Sequence, residues 1–151
     1  MAAKTLGVLI FDVIERIPLV KNVADPTRYF TLRDSIDFNN VTFKYPTSLP
    51  EHKPVLIDAS FRIKAGQATA IVGPSGSGKS TIIQLIERFY DPRKGSVHFD
   101  GQNIKEIDLK CLRENIGYVS QEPIMIMGTI RDNLLYGNVD ATEQDCIEAL
   151  K

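Results

Sequence analysis

The chain is 151 residues long, 43% hydrophobic and 25% charged, with a formal net charge of −1. These values are typical of one ordinary globular domain with enough chain to bury a core. Because basic residues are not in excess, the composition argues against nucleic acid or an anionic membrane surface as a partner.

Residues 1–35 are predicted to be a linker that contains an amphipathic helix. Pro18 is expected to end this helix, and residues 26–35 form a polar connector. Charged residues interrupt the helical stretch, so it falls short of the roughly 18–20 apolar residues that a membrane span needs. The apolar residues at helical spacing are Leu6, Ile10, Val13 and Ile17.

Two strands are predicted next. Residues 36–45 alternate between polar and apolar side chains up to Tyr45, and Pro46 ends the run. Residues 55–63 alternate again before a glycine-containing turn. Since both strands precede a glycine-rich loop, they suggest an antiparallel β flap attached to a parallel α/β core.

The glycine-rich loop spans residues 73–81 and is called the phosphate loop below. Its sequence, Gly-Pro-Ser-Gly-Ser-Gly-Lys-Ser-Thr, fits the spacing G-x-x-x-x-G-K-[ST] of nucleotide-binding loops. A β-rich run over residues 68–72 precedes it, and apolar residues at helical spacing over residues 81–90 follow it. This kind of phosphate site requires a glycine loop that follows a strand and precedes a helix.

The chemistry of the phosphate loop predicts binding of a nucleoside triphosphate. Glycine lacks a Cβ, so backbone N–H groups can turn towards an anion at the positive end of the following helix. Lys79 adds a positive charge for the outer phosphates, and the Ser80 hydroxyl can ligate Mg²⁺. The candidate nucleotide-binding residues of the loop are Gly73, Pro74, Ser75, Gly76, Ser77, Gly78, Lys79, Ser80 and Thr81.

Further elements follow the loop helix. A strand over residues 96–99 is predicted to turn at Asp100 and Gly101 into a hairpin. Asp100 imitates the Mg²⁺-binding aspartate of many nucleotide-hydrolysing enzymes, but the glycine directly after it favours the hairpin. A helix over residues 109–115 and a strand over residues 116–120 are predicted next.

Two more helices are predicted at residues 129–135 and 142–150. Two residue pairs can cap the last helix, namely Asp140 with Glu143, or Thr142 with Asp145.

His52 and His98 stand alone in the sequence, so a histidine metal site is not expected.

In this order, the segments resemble the front half of the nucleotide-binding domain of ATP-binding cassette (ABC) transporters, especially multidrug-resistance-type exporters. The resemblance is strong over residues 36–151, and residues 1–25 resemble more weakly the segment that joins the last membrane helix to this domain. It implies an α/β P-loop NTPase (RecA-like) core with an antiparallel β flap, present as a partial domain after a linker at residues 1–35. The segments that carry it are residues 41–46, the phosphate loop, residues 100–101 with 112–113, residues 118–123, and residues 128–133 with 136–137.

The resemblance also implies roles for two residues outside the loop. Tyr45 would stack its ring on adenine. Gln121 would reach Mg²⁺ and the attacking water through its amide oxygen, which makes it the candidate catalytic residue and, with Ser80, a metal ligand. The implied ligands are ATP and Mg²⁺. The implied partners are a second nucleotide-binding domain and the membrane domain of the same transporter, with the chain at the cytoplasmic face of the membrane.

Several parts of the related site do not occur in this sequence. It contains no Leu-Ser-Gly-Gly-Gln signature, no hydrophobic strand ending in Asp-Glu after Gln121, and no downstream switch histidine. Whether the chain contributes to hydrolysis therefore stays open, and a nucleotide-binding module that acts by association is the alternative. A GTPase or small kinase is less favoured, because the guanine-reading Asn-Lys-x-Asp is absent and Tyr45 favours adenine.

Overall fold

The computed structural model describes residue 11 and residues 13–151. Most of the predicted N-terminal helix therefore lies outside the described residues. Where it is described, Phe11, Val13 and Ile14 are helical, and the Glu15 N–H donates to the Phe11 carbonyl at 2.8 Å. The chain divides into two compact units, the first ending at Arg113 and the second comprising Glu114–Lys151. The predicted division at residue 35 stays a prediction.

The first unit contains a four-stranded sheet with the order β2-β1-β3-β4. Each neighbouring pair is antiparallel, which confirms the predicted flap. The hairpin at residues 100–101 is also confirmed, since His98 pairs with Asn103. The strands are β1 (Ser35–Phe43), β2 (Leu56–Lys64), β3 (Lys94–Phe99) and β4 (Gln102–Asn103).

A β-bulge at Asn39 and Asn40 shapes the buried face of β1. Phe38 and Val41 are three positions apart, yet both are buried, because the strand register shifts between them and Asn40 adopts a φ of 50°. The bulge thus keeps one apolar face towards the core. The core residues of this unit are Phe38, Val41, Phe43, Leu56, Ile82, Leu85, Val97, Phe99, Ile104, Ile107 and Leu112.

Three further helical segments are described between the phosphate loop and Glu114. Helix α1 (Lys79–Ile86) follows the phosphate loop and buries Ile82 and Leu85. A 3-10 helix (Ile104–Glu106) and helix α2 (Leu109–Glu114) come after the hairpin. The prediction that the loop helix extends to residue 90 is wrong.

Arg88 explains why α1 ends early. Its backbone adopts a φ of 51°, which is not helical, and its side chain is buried with 2% exposed. The guanidinium donates to the Lys21 carbonyl at 3.0 Å and to the Ile107 carbonyl at 3.4 Å, and it pairs with Asp91 at 3.2 Å. These contacts tie Lys21, in the N-terminal linker, to the segment that follows the hairpin, and a continuing helix cannot make them.

The second unit holds helices α3 (Ile130–Leu135) and α4 (Glu143–Ala149). Each begins with a capping box, and at α4 the pair is Thr142 with Asp145, one of the two predicted alternatives. Hydrogen bonds from the Thr142 side chain and backbone hold the pKa of Asp145 below its usual value. Within the part of the chain that the structure describes, no helix is long and apolar enough to cross a membrane.

The predicted strands at residues 68–72 and 116–120 are wrong, since neither forms a strand in the structure. Both segments stay open to solvent, as Val72 is 88% and Val119 90% exposed. A strand is held by hydrogen bonds to a neighbouring strand. Among the described residues, the sheet consists of β1 to β4 and includes neither segment. The described sheet is therefore the antiparallel part of the predicted fold.

Candidate nucleotide-binding site

The phosphate loop ends in an open helix N-terminus. Gly78 precedes α1 with a φ of 91°, and no side chain caps the first helical N–H groups. The first intrahelical bond that the Gly78 carbonyl accepts comes from the Ile82 N–H at 3.1 Å. The N–H groups of residues 79–81 therefore have no partner within the helix. An anion fits this end because it can accept these donors and lie at the positive end of the helix.

Lys79 lies against the loop that it follows. Its ammonium group donates to the carbonyls of Gly73 at 2.9 Å and Pro74 at 2.7 Å. An ammonium group has three hydrogens, so one donor remains for a ligand oxygen. The side chain thus links the end of the loop to its start and brings its positive charge beside Gly73 and Pro74.

The hydroxyl residues of the loop differ in their exposure. Ser75, Ser77 and Ser80 are exposed, whereas Thr81 is buried with 3% exposed. The Ser80 hydroxyl is therefore accessible to a ligand or a metal ion. The Thr81 hydroxyl is instead engaged with the Tyr45 hydroxyl at 2.8 Å.

Two glycines of the loop adopt positive φ angles, but their surroundings differ. Gly78 has a φ of 91°, and a Cβ there would lie 2.8 Å from Leu56 Cδ2 and 3.2 Å from Val55 Cγ1. Gly76 has a φ of 80°, and a Cβ there would meet nothing within 4 Å. A side chain at position 78 is disfavoured by both the backbone conformation and the lack of space. A side chain at position 76 is disfavoured by the backbone conformation alone.

We expect Gly78→Ala to weaken ATP binding about tenfold more than Gly76→Ala, because only the first forces the loop away from β2. Titration of both variants with a fluorescent ATP analogue measures this difference. Equal losses in the two variants would show that the packing of Gly78 against Leu56 does not shape the site.

Tyr45 lies beside α1. Its hydroxyl bonds to Thr81 Oγ1 and Gln84 Oε1, both at 2.8 Å. Its ring makes edge contacts with Phe43 and Tyr90, with centroid distances of 4.9 Å and 5.3 Å. The structure therefore joins Tyr45 to the helix of the phosphate loop, while its predicted contact with adenine stays a prediction.

Gln121 belongs to the second unit, whereas the other candidate residues belong to the first. It is exposed and lies in a bend in which Ser120 Oγ donates to the Glu122 carbonyl at 2.7 Å. Its predicted roles as a metal ligand and catalytic residue stay predictions.

Asp100 has a structural role, as the hairpin interpretation implied. Its carboxylate accepts the backbone N–H groups of Arg33 at 2.7 Å, Asp34 at 2.9 Å and Ser35 at 2.8 Å. The bond from the Arg33 N–H is the main cause that holds the pKa of Asp100 below its usual value. The carboxylate thus fastens the start of β1.

Sequence reasoning missed Gln84. This side chain accepts the hydrogen bond of Tyr45 across 39 positions of sequence. Its sequence signal is weak, because it is one polar residue in a helix whose other residues from 81 to 86 are mostly apolar. Over residues 11 and 13–151, no group of three or more His, Cys, Asp or Glu residues could hold a metal ion.

The model of the ABC transporter family matches residues 56–151. This chain belongs to the ABC transporter family. The match begins at β2 and includes the phosphate loop, Gln121 and both helices of the second unit, so it confirms the resemblance and the fold class.

Relatives of this chain include members of the ABC transporter B family. ABC transporter B family member 22 of Arabidopsis thaliana is 52% identical over 80% of this chain and 10% of its own length. ABC transporter B family member 4 of Dictyostelium discoideum is 46% identical over 94% of this chain and 18% of its own length. The chain therefore spans less than a fifth of either relative.

A solved structure supports the same fold. A bacterial Atm1-family ABC exporter with ATP bound aligns with a TM-score of 0.82 and 36% identity. The alignment covers 91% of this chain and 23% of the exporter chain. The ABC ATPase fold therefore extends over nearly all of the chain, including segments that precede the family match.

Proposed function

We propose that this ABC transporter chain binds Mg·ATP at the phosphate loop. The observation that carries the proposal is the uncapped N-terminus of α1, with Gly78 in the left-handed conformation and Lys79 as the first helical residue. The helix end supplies N–H donors and a partial positive charge, and the ammonium group supplies a full charge. Such a site selects a compact anion with several oxygens, which a triphosphate provides.

The residues of the loop have different roles in binding. The glycines let the backbone approach the phosphates, and Lys79 contacts the outer phosphates while it holds the loop closed. Bound Mg²⁺ would neutralise phosphate charge, with the Ser80 hydroxyl as one ligand. The family pattern at residues 118–123 supports Gln121 as a second ligand that also orients water.

We propose that the ring of Tyr45 stacks on the adenine base. Its half-buried ring lies next to the helix that begins the phosphate site. A tyrosine ring offers a flat surface for adenine, with a stacking contribution of about 1 kcal/mol, similar to that of aromatic pairs. Base stacking therefore adds affinity and a modest preference to a site whose main attraction is for phosphates.

The wider role follows from the family. In the longer protein, we propose that ATP binding and hydrolysis are coupled to transport of a substrate across a membrane. A second nucleotide-binding domain would supply the signature sequence, and a membrane domain would receive the conformational change. This part of the proposal is supported by the B-family relatives, of which the chain spans only a fraction.

Equilibrium binding of a fluorescent ATP analogue, with and without Mg²⁺, tests the proposed ligand. We expect tripolyphosphate and ATP both to displace it, and ATP to compete better because it also offers a base. Turnover measured with and without a polypeptide that carries the signature and the Asp-Glu strand distinguishes an ATPase component from a module that only binds. Failure of ATP and tripolyphosphate to bind would contradict the proposal.

A further inference from the structure

A hydrogen-bonded chain joins Tyr45 to two residues of α1. Tyr45 Oη lies 2.8 Å from Thr81 Oγ1 and 2.8 Å from Gln84 Oε1. A phenol has one hydrogen, and an amide oxygen only accepts, so Tyr45 donates to Gln84. The Thr81 hydroxyl must then donate to Tyr45. The hydroxyl hydrogens of Tyr45 and Thr81 are thereby each donated to one partner.

The hydrogen bonds of Tyr45 lie on one face of α1. Thr81 and Gln84 are three residues apart, so their side chains lie one above the other. Gln84 is five residues beyond Lys79, about 7.5 Å along the helix axis at 1.5 Å per residue. The hydroxyl of Tyr45 is therefore held within the first turns of the helix whose start forms the phosphate site.

Tyr45 needs such a tether because it lies beyond the end of β1 at Phe43. The backbone after it turns at once, with the Ser48 N–H bonded to the Tyr45 carbonyl at 3.0 Å. Edge contacts with Phe43 and Tyr90 restrain the ring. The hydroxyl bonds restrain the opposite end of the side chain, so both ends have fixed contacts.

We propose that Gln84 is a positioning residue for nucleotide recognition. Through Tyr45 it fixes the aromatic surface for the base at a set place along the helix that binds the phosphates. The inference rests on the proposed function, because it assumes that a nucleotide occupies the phosphate loop. Gln84 itself does not contact the base. It lowers the cost of binding by ordering the ring in advance.

Three variants of the full chain test this role, with binding measured separately for ATP and for tripolyphosphate, which has no base. Tyr45→Phe keeps the ring and removes both hydroxyl bonds, and Gln84→Leu keeps the volume and removes the acceptor. We expect each to lower ATP affinity about three- to tenfold, because each breaks the bond between Tyr45 and Gln84 that orders the ring, and to leave tripolyphosphate affinity unchanged. The combined Tyr45→Phe/Gln84→Leu variant should be little worse than either single variant, because both act on one contact.

Gln144→Leu is the matched control, since Gln144 is an exposed helical glutamine in the second unit. It should bind both ligands as the wild type does. If Gln84→Leu fails to fold, as judged by circular dichroism, Tyr45→Phe alone still provides the test.

Two results would overturn the inference while the proposed function stands. One is wild-type ATP affinity in both single variants. The other is an equal loss of ATP and tripolyphosphate affinity, which would show that the bonds support the phosphate loop and not the base. Wild-type chain that binds neither ligand would instead overturn the proposed function, and this inference with it.

Discussion

Lys79→Ala is expected to abolish measurable ATP binding, with a loss of affinity of about a hundredfold or more. The variant removes the positive charge at the helix end, and hydrogen bonds to charged groups contribute about 1.5–3 kcal/mol each. It also removes the bonds to the carbonyls of Gly73 and Pro74 that hold the loop closed. Charge and loop geometry are therefore lost together. Titration with ATP and with tripolyphosphate measures the effect.

Lys44→Ala is a closely matched control for this variant. Lys44 also donates to two backbone carbonyls, those of Leu49 at 2.6 Å and Pro50 at 2.9 Å, in a loop outside the phosphate site. Its replacement should leave tripolyphosphate affinity unchanged, because that ligand does not use the neighbouring Tyr45. If Lys79→Ala bound tripolyphosphate as the wild type does, the assignment of the phosphate site would be wrong.

Gly95→Ala is expected to destabilise the sheet unit by about 3 kcal/mol. Gly95 has a φ of 74°, and a Cβ there would lie 2.3 Å from the carbonyl oxygens of both Asn39 and Asn40. These oxygens belong to the bulge of β1 and cannot move without breaking its register. The strain of a positive φ and the steric overlap therefore act together.

Gly101→Ala separates these two causes. Gly101 has a φ of 82° but open space around its Cα, so its replacement should cost only about 1 kcal/mol. Urea unfolding followed by circular dichroism compares the two variants. Similar midpoints for both would mean that the close approach of β3 to the bulge does not limit stability.

The features predicted best from the sequence depend on residues that are neighbours in the chain. The glycine spacing of the phosphate loop led to the conformation seen at Gly78, because only glycine adopts it without strain. The capping box of Thr142 and Asp145 needs only a separation of three residues. The hairpin at Asp100 and Gly101 depends on a local turn in the same way.

The predicted strands at residues 68–72 and 116–120 failed for the opposite reason. Their apolar composition reports a preference to be buried, but a strand also needs a partner that donates and accepts hydrogen bonds along its edge. The pattern within a segment carries no information about whether that partner is in place. The end of α1 was also misjudged, because the buried contacts of Arg88 lie far away in the sequence.

By itself, the sequence determined that this chain has a phosphate-binding loop at residues 73–81 and that it belongs with ABC transporters. That chemistry resides in consecutive residues, and backbone conformation there follows from local sterics. Only the tertiary structure decided that β3 pairs with β1 and that Tyr45 is tied to Thr81 and Gln84. The physical reason is that these contacts join segments that are distant in the sequence. Each side chain could pair with many others, and the shape and packing of the folded chain decide which pairs form.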